Sequence, residues 1–235
     1  MRPQGNDISR LHHVLATTGP LLLDFDGPLT PLLVDGRSRM VADLARSAIP
    51  AAITVPQLVN ATSDPLEVLR WAASLEDSRV LAGVEEACRS GEMLASRRSS
   101  LTPGASALID ACHAAGRLVV IVSNNAAEAI NVFLDDNGLS SRIRAIVARV
   151  PGRPDLMKPS PFLVTKAVSL LGVNSDQVAF LGDAVTDIRA GQAARVRTIG
   201  YAKNPARGLE LAAADVDAII EDLAIAATAI QAIHV

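Results

Sequence analysis

The sequence predicts an α/β fold in which a Rossmann-like parallel sheet carries an inserted, all-helical domain. From Thr102 onward, short runs of apolar, mostly β-branched residues alternate with segments that have helix start and stop signals. This alternation is typical of a parallel sheet covered by helices. Between about residues 38 and 100, apolar residues recur at helical spacing instead, and no convincing strand pattern is present. These two observations together predict the fold class.

Six segments are expected to form the strands of the sheet. Each is apolar at nearly every position, as strands buried under helices on both faces should be. In chain order they are LLL (21–23), LVVIV (118–122), IRAIV (143–147), VAFL (178–181), VRTI (196–199) and DAII (217–220). Since the first segment precedes the helical region, the sheet is expected to combine two separated parts of the chain.

Helix boundaries are marked by capping residues and by glycines. The predicted starts are Thr102 before Pro103, Asn125 with Glu128, Ser160 before Pro161, and Asp64 before Pro65; the predicted stops are Gly116, Gly138 and Gly172. Within the helical region, apolar stripes fall on Val41, Leu44, Ala45 and Ala48, on Leu66, Leu69 and Ala73, and on Val80, Leu81, Val84, Ala87 and Cys88. We therefore expect an α/β core from residues 1–30 and 101–235, interrupted by a helical domain from residues 31–100.

Composition excludes several classes of protein. The 235 residues are 49% hydrophobic with a net charge of −3, and the basic residues are scattered, which argues against nucleic-acid binding. No stretch reaches the roughly 18 apolar residues of a membrane span, and the start MRPQGNDISRLHHV lacks a signal-peptide pattern, so we expect a cytoplasmic protein. Cys88 and Cys112 have no metal-ligand spacing and are expected to be buried free thiols. Nothing distinguishes a monomer from a homodimer.

Polar residues follow three of the predicted strands directly. Asp24 and Asp26 follow the first strand, Ser123 the second, and Asp183 the fourth, while Lys158 lies in the loop segment MKPSP. Because ligands bind beyond the carboxyl ends of the strands in an open parallel sheet, we expect these side chains to converge there. The sequence thus predicts an acidic pocket that contains one cation and one hydroxyl.

This set of groups indicates phosphoryl transfer assisted by Mg²⁺. Carboxylates of Asp24 and Asp183 are suitable ligands for a hard cation, and Lys158 and Ser123 can bind phosphoryl oxygens. One aspartate can attack phosphorus in line. Because alternate residues of a strand point the same way, Asp24 and Asp26 can face one substrate, one as nucleophile and one as proton shuttle.

The segments DFDGPLT, VIVSNN, KPSP and GDAVTD resemble the four ordered motifs of the haloacid dehalogenase-like (HAD) superfamily, and the resemblance covers essentially the whole chain. It implies that Asp24 is the nucleophile that forms a phosphoaspartate and that Asp26 is the general acid/base. It also implies phosphate-binding and metal-binding residues. The phosphate ligands would be Ser123, Asn124 and Lys158, and the Mg²⁺ site would comprise Asp24, the Asp26 carbonyl, Asp183 and, as a metal-shell or orienting residue, Asp187.

The separation of the motifs resembles that of superfamily members with a helical C1 cap. The long segment between Asp24 and Ser123 places the insertion where that cap occurs, and the short segment between Ser123 and Lys158 leaves no room for a later one. Two positions depart from the family pattern. Pro28 replaces the usual Thr and removes a backbone donor, and Ala184 replaces a small hydroxyl residue.

The resemblance implies a Mg²⁺-dependent phosphatase of a small phosphorylated metabolite, similar to the phosphoglycolate-phosphatase-like branch. Dehalogenases lack the second aspartate, and the absence of any lysine before Lys158 argues against phosphonatases that form a Schiff base on the cap. A sugar-phosphate mutase remains an alternative. So does a non-catalytic phosphoaspartate signalling or binding module, although the Asp24–Asp26 pair and the insertion favour an enzyme. Specificity in this architecture depends on cap loops, so the substrate is not specified.

Overall fold

Six parallel strands form one sheet in the computed structural model, which describes residues 7–233. The strands are β1 (Leu21–Leu23), β2 (Val119–Val122), β3 (Ala145–Val147), β4 (Ala179–Gly182), β5 (Arg197–Tyr201) and β6 (Ala218–Ile220). All six predicted strands are confirmed. They lie in the order β3-β2-β1-β4-β5-β6, so β1 is central and pairs with β2 on one side and β4 on the other. The strand order reverses at β1, and the ends of β1, β2 and β4 therefore border one crevice.

Eleven α-helices accompany the sheet in the described part of the chain. They are α1 (Ile8–Thr17), α2 (Arg37–Ser47), α3 (Gln57–Ala61), α4 (Pro65–Ser74), α5 (Ser78–Ser96), α6 (Ala105–Ala114), α7 (Ala127–Asp136), α8 (Phe162–Leu171), α9 (Val185–Ala193), α10 (Pro205–Ala212) and α11 (Leu223–Ile233). Among the described residues, none of these helices is both long and apolar enough to cross a membrane.

The sheet is buried on both faces, which explains why its strands are apolar at most positions; Arg197 and Thr198 of β5 are the polar exceptions among the described strands. Leu21 and Leu23 of β1 pack in one hydrophobic cluster with residues of α1, α6, α7 and α11. Leu22 between them packs in a second cluster with residues of α8 and α9. Successive side chains of a strand point to opposite faces, so one short strand contributes to both layers.

Helices α2, α4 and α5 share a hydrophobic cluster of their own, to which Met157 also contributes. No strand occurs between residues 31 and 100, as predicted. Asp64 begins α4 by accepting a hydrogen bond from Leu66 N at 2.9 Å. One residue of the stripe predicted on α2 is not buried, since Leu44 is 39% exposed. Ala42 is buried instead, because α2 packs against both α4 and α5 through the side that carries Ala42 and Ala45. Cys88 and Cys112 are buried free thiols, as expected.

Two predicted helix starts are displaced by tertiary hydrogen bonds. Helix α6 begins at Ala105 rather than beside Thr102, whose hydroxyl donates to the carbonyl of Gly27 at 2.6 Å. Helix α7 begins at Ala127 rather than after Asn125, whose Oδ1 accepts from Ser123 Oγ at 2.9 Å. Both side chains stabilise the loops at the end of the sheet and are therefore not available to cap a helix.

Candidate active site

The turn after β1 carries the two aspartates of the first motif. Gly27 N donates to Thr30 O at 2.7 Å, and Thr30 N donates to Phe25 O at 3.0 Å, so the turn closes without a donor from Pro28. Gly27 has a φ of 120°, and a Cβ there would lie 2.5 Å from Asp183 Cγ. Only glycine therefore allows the turn to approach Asp183 this closely.

The Asp24 and Asp26 side chains line the same cavity but have different partners. Asp24 Oδ1 accepts from its neighbour Phe25 N at 2.7 Å and from Lys158 Nζ at 2.7 Å. Asp26 Oδ1 accepts from the backbone of Leu32 and Leu33 at 2.9 and 3.3 Å. The first carboxylate is thus paired with a cation, whereas the second is held by neutral donors.

Lys158 lies at the centre of the acidic pocket and is almost fully buried. Its ammonium group is 2.7 Å from Asp24 Oδ1, 2.7 Å from Asp187 Oδ1 and 3.1 Å from the carbonyl of Val122. The Asn124 side chain holds the Lys158 backbone, accepting from its N–H at 2.8 Å and donating to its carbonyl at 3.1 Å. Asn124 therefore positions the Lys158 loop, and its predicted contact with phosphate stays a prediction.

Asp183 follows the end of β4, and Asp187 lies in the first turn of α9. A Cβ on Gly182 would lie 2.5 Å from Asp187 Cβ, so glycine at this position lets Asp187 pack against the strand. Asp187 Oδ2 accepts from Ala184 N at 2.9 Å, which begins α9 without the hydroxyl that the family pattern has at Ala184. Asp183 Oδ2 lies 2.8 Å from Lys203 Nζ.

Three buried carboxylates are arranged so that they could hold a metal ion. One oxygen from each of Asp24, Asp183 and Asp187 lies within 4.8 Å of the others. Hard oxygen donors of this kind fit Mg²⁺, which binds through a few carboxylates and retains waters. The Asp26 carboxylate is outside this group. The expectation that Asp26 contributes its backbone carbonyl instead stays a prediction.

The pKa values of the carboxyl groups are raised because the site is buried and rich in like charges. Burial, followed by the charge of Asp187, raises the pKa of Asp24 to about 8. Burial and the charge of Asp183 raise the pKa of Asp26 to about 6. Burial also raises the pKa of Asp183, although the positive charge of Lys203 lowers it. For Lys158, burial lowers the pKa, but Asp187 and Asp24 outweigh it, so the lysine remains charged.

Ser123 is buried at the end of β2, as predicted, and lines the same cavity. Its hydroxyl donates to Asn125 Oδ1 at 2.9 Å and accepts from Asn125 N at 3.2 Å. The structure therefore brings the predicted residues to one cavity of about 360 Å³, formed by Asp24, Asp26, Ser123, Asn124, Lys158, Asp183 and Asp187.

Sequence reasoning missed several residues that line this cavity. Lys203 follows β5, so the rule that polar residues converge beyond strand ends would have found it. Asp64 was recognised only as a helix cap, but it also faces the cavity, and burial raises its pKa. Arg207 lies on α10 and had no recognisable sequence signal. These residues add two cations and one carboxylate to the walls.

A larger cleft of about 550 Å³ lies between α5 and α7 and contains none of the predicted site residues. Its lining includes Leu81, Ala82 and Ala127, together with Glu85, Glu86 and Glu128. Among the described residues, these three glutamates do not form a group close enough to hold a metal ion. Another cavity, which Arg70 and Met157 help to line, is larger still at about 620 Å³, so volume does not identify the site. The convergence of titratable groups with raised pKa values identifies the smaller cavity as the candidate active site.

The chain matches the haloacid dehalogenase-like hydrolase family over residues 75–201, more than half of its length. That range contains Ser123, Lys158 and Asp183 and begins after the turn that carries Asp24. Phosphoglycolate phosphatase of Rhodospirillum rubrum is 31% identical over 117 residues, which cover 47% of this chain and 47% of that protein. The match thus spans about half the length of this curated relative.

Several solved structures share the fold at low sequence identity. A predicted phosphatase from Clostridium acetobutylicum superimposes with a TM-score of 0.71 at 17% identity, covering 92% of this chain and 99% of that one. CbbY from Rhodobacter sphaeroides in complex with phosphate gives 0.67 at 19% identity, covering 88% and 95%. β-Phosphoglucomutase from Clostridium difficile gives 0.67 at 17% identity, covering 88% and 92%. Since both phosphatases and a mutase are among them, the fold alone does not distinguish these activities.

Proposed function

The chain belongs to the haloacid dehalogenase-like hydrolase family, and from this premise we propose that it is a Mg²⁺-dependent phosphatase of a small phosphorylated metabolite. The observation that carries the proposal is the position of Lys158 Nζ, 2.7 Å from both Asp24 and Asp187 within a group of three carboxylates. This position supports Asp24 as the nucleophile, because its carboxylate lies beside a buried cation and within a candidate metal site.

In the proposed reaction, Asp24 reacts as the carboxylate, which Lys158 and a bound cation would stabilise against the burial that raises its pKa. One of its oxygens attacks phosphorus while the bond from phosphorus to the leaving oxygen breaks. Asp26 donates its proton to that oxygen, and the product is an alcohol and a phosphoaspartate on Asp24. Asp26, now a carboxylate, accepts a proton from water, and the water oxygen attacks phosphorus to release phosphate and restore Asp24. A pKa of about 6 suits Asp26 to both proton transfers near neutral pH.

The remaining site residues would stabilise the negative charge of the phosphoryl group. Lys158 and the hydroxyl of Ser123 would stabilise the phosphoryl oxygens as negative charge develops. Mg²⁺ held by Asp24, Asp183 and Asp187 would supply further charge neutralisation at the phosphoryl group. Helices α2 to α5 would act as the cap that covers the substrate and excludes water, with residues 31–100 as its extent.

We propose a substrate with a second anionic group, of the phosphoglycolate type. The curated relative named phosphoglycolate phosphatase supports this class. So does the presence of Lys203 and Arg207 in the wall of the cavity, since they could bind a carboxylate. A volume of about 360 Å³ suits a small metabolite.

The test is release of inorganic phosphate from a panel of phosphomonoesters in Mg²⁺ and in excess chelator. The panel pairs 2-phosphoglycolate with ethyl phosphate, which has nearly the same size but no carboxylate. We expect Mg²⁺-dependent hydrolysis with a higher kcat/KM for 2-phosphoglycolate. Full turnover in chelator contradicts the metal assignment, and equal kcat/KM values contradict the second anionic group. Transfer of phosphate between positions of a sugar phosphate, without release, would indicate a mutase.

A further inference from the structure

A second buried group of charges contacts the Ser123–Asn125 segment from the side of α5. Arg149, which follows β3, has no exposed side-chain surface. Its Nη1 donates to Glu92 Oε1 at 2.8 Å and to the carbonyl of Asn124 at 2.7 Å, and its Nε donates to Glu85 Oε1 at 2.6 Å. Glu85 and Glu92 both lie on α5, in the helical region between β1 and β2, whereas Ser123 follows β2.

Glu92 extends these contacts to the residues next to Ser123. Its Oε2 accepts from Ala126 N at 2.8 Å, and its Oε1 accepts from Asn125 Nδ2 at 3.3 Å. Ala126 has no side chain that could cap α7, so the Glu92 carboxylate satisfies a donor at that helix start. The Asn125 amide in turn holds the Ser123 hydroxyl. A continuous set of hydrogen bonds therefore joins Arg149 to Ser123 through Glu92 and Asn125.

We propose that Glu92, Arg149 and Asn125 are positioning residues that orient the Ser123 hydroxyl and its loop for binding the phosphoryl group. None of them has to touch the substrate for this role. Because Glu92 belongs to α5, the helical region that would cover the substrate also shapes the loop that binds it. The proposal rests on the proposed function only in taking Ser123 as a phosphate ligand.

Glu85 offers a matched control for Glu92. Both carboxylates lie on α5 and pair with Arg149, but Glu85 has no hydrogen bond to Asn125 or Ala126. Replacing either glutamate with glutamine removes one negative charge next to the same buried arginine, so both variants should be less stable than the wild type. Only Glu92→Gln weakens the contacts to the loop.

The experiment measures the affinity of inorganic phosphate by isothermal titration calorimetry in Mg²⁺ buffer, with urea unfolding of each variant alongside. We expect Glu92→Gln to weaken phosphate binding by about tenfold, a usual effect of losing an outer-shell partner. Glu85→Gln should change it by less than about twofold. In a Ser123→Ala background, Glu92→Gln should add less than about twofold, because residues that act through one group are not additive.

Three results would overturn the proposal: equal weakening by the two glutamate variants, a full effect of Glu92→Gln without the Ser123 hydroxyl, or no phosphate binding by the wild type at millimolar concentration. If Glu92→Gln does not fold, Asn125→Ala tests the same connection without changing a buried charge, with the same expected loss and non-additivity. Hydrolysis is assayed separately. A wild type that binds phosphate in this pattern but hydrolyses no ester would contradict the proposed function and leave this inference standing.

Discussion

Two charge clusters contact the Ser123–Asn125 segment, and both have two carboxylates for each cation, but they differ in how their carboxylates are hydrogen-bonded. The carboxylate cluster comprises Asp24, Asp26, Asp183, Asp187, Lys158 and Lys203. The arginine cluster comprises Arg149, Glu85 and Glu92. In the first, four carboxylates face two ammonium groups, and the pKa of Asp24 is raised to about 8, chiefly by burial and the charge of Asp187. In the second, both oxygens of Glu92 accept hydrogen bonds from Arg149 and from the loop.

The difference shows how a buried charge can indicate its role. Excess carboxylates that raise one another's pKa are costly for folding, and they are retained where a cation or a proton transfer uses them. In the Arg149–Glu92 pair, by contrast, both carboxylate oxygens are hydrogen-bonded, so the effect of this pair is on position and stability. Glu85 Oε2 in the same cluster has no hydrogen-bond partner among the described residues. We therefore expect substitutions in the carboxylate cluster to change turnover, and substitutions in the arginine cluster to change folding and loop geometry.

The largest effect is expected for Asp26→Asn. If the carboxylate cluster were only structural, this substitution would leave the reaction rate nearly unchanged, and the comparison between the two clusters would fail. Losing general acid-base catalysis should lower the rate by about 10² to 10⁴-fold. With a substrate whose leaving group needs no proton, the variant should still be phosphorylated and should lose the phosphate slowly. Mass spectrometry of quenched protein should find phosphate on Asp24 in Asp26→Asn.

Adding Asp24→Asn to Asp26→Asn should abolish this labelling, which controls for phosphate on other residues. Wild-type enzyme should carry little phosphate, because Asp26 supports hydrolysis of the phosphoaspartate. A long-lived phosphate on Asp24 in the wild type would instead favour the signalling module.

The next largest effect concerns Lys158. Its ammonium group is buried between Asp24 and Asp187, so Lys158→Ala should lower kcat/KM by about 10² to 10³-fold through loss of charge stabilisation at the phosphoryl group. Lys166→Ala is the control, since Lys166 lies on the exposed side of α8. Comparable losses in steady-state kinetics of the two variants would remove Lys158 from the proposed mechanism.

Arg149→Met tests the other side of the comparison. Removing the cation leaves Glu92 buried without its charge partner, which should lower the free energy of unfolding by about 3 to 5 kcal/mol. Arg153→Met removes an arginine whose ion pair with Asp155 is exposed, so it should leave the free energy of unfolding nearly unchanged. Urea unfolding measures both, and a loss below 1 kcal/mol for Arg149→Met would show that the Arg149–Glu92 pair does not stabilise the fold as described.

The smallest effect is expected for Asp183→Asn, and in the absence of a cation this substitution should stabilise the protein rather than destabilise it. Burial raises the pKa of Asp183, so at pH 7 the ionised form costs stability that the neutral asparagine does not. In chelator, Asp183→Asn should increase the free energy of unfolding by about 1 kcal/mol or less. Added Mg²⁺ should raise the melting temperature of the wild type but not of the variant.

Asp176→Asn is the control for this prediction, because Asp176 is exposed on the short helical turn before β4 and lies outside the carboxylate cluster. It should change neither the stability in chelator nor the response to Mg²⁺. A loss of stability in Asp183→Asn without Mg²⁺ would show that its pairing with Lys203 outweighs the cost of its burial.

The sequence by itself determined the strands, the helical region and the position of Asp24, Ser123 and Asp183 at one edge of the sheet. These features follow from local periodicity and from the general rule that parallel strands end at one edge of a sheet. Local periodicity does not specify the order of the strands. Because neighbouring strands lie about 4.8 Å apart, these residues come within reach of one ligand only because β2, β1 and β4 are neighbours in the sheet.

Only the tertiary structure decided which side chains complete the site. Glu92 reaches Asn125 and Ala126 across separations of 33 and 34 residues that no local pattern records. Lys203 follows β5, but only packing determines that its ammonium group pairs with Asp183. Tertiary contacts also overrode local capping signals at Thr102, whose hydroxyl binds Gly27 O. The physical reason is that a polar side chain buried on folding must find a partner, and the available partners are fixed by packing rather than by neighbours in sequence.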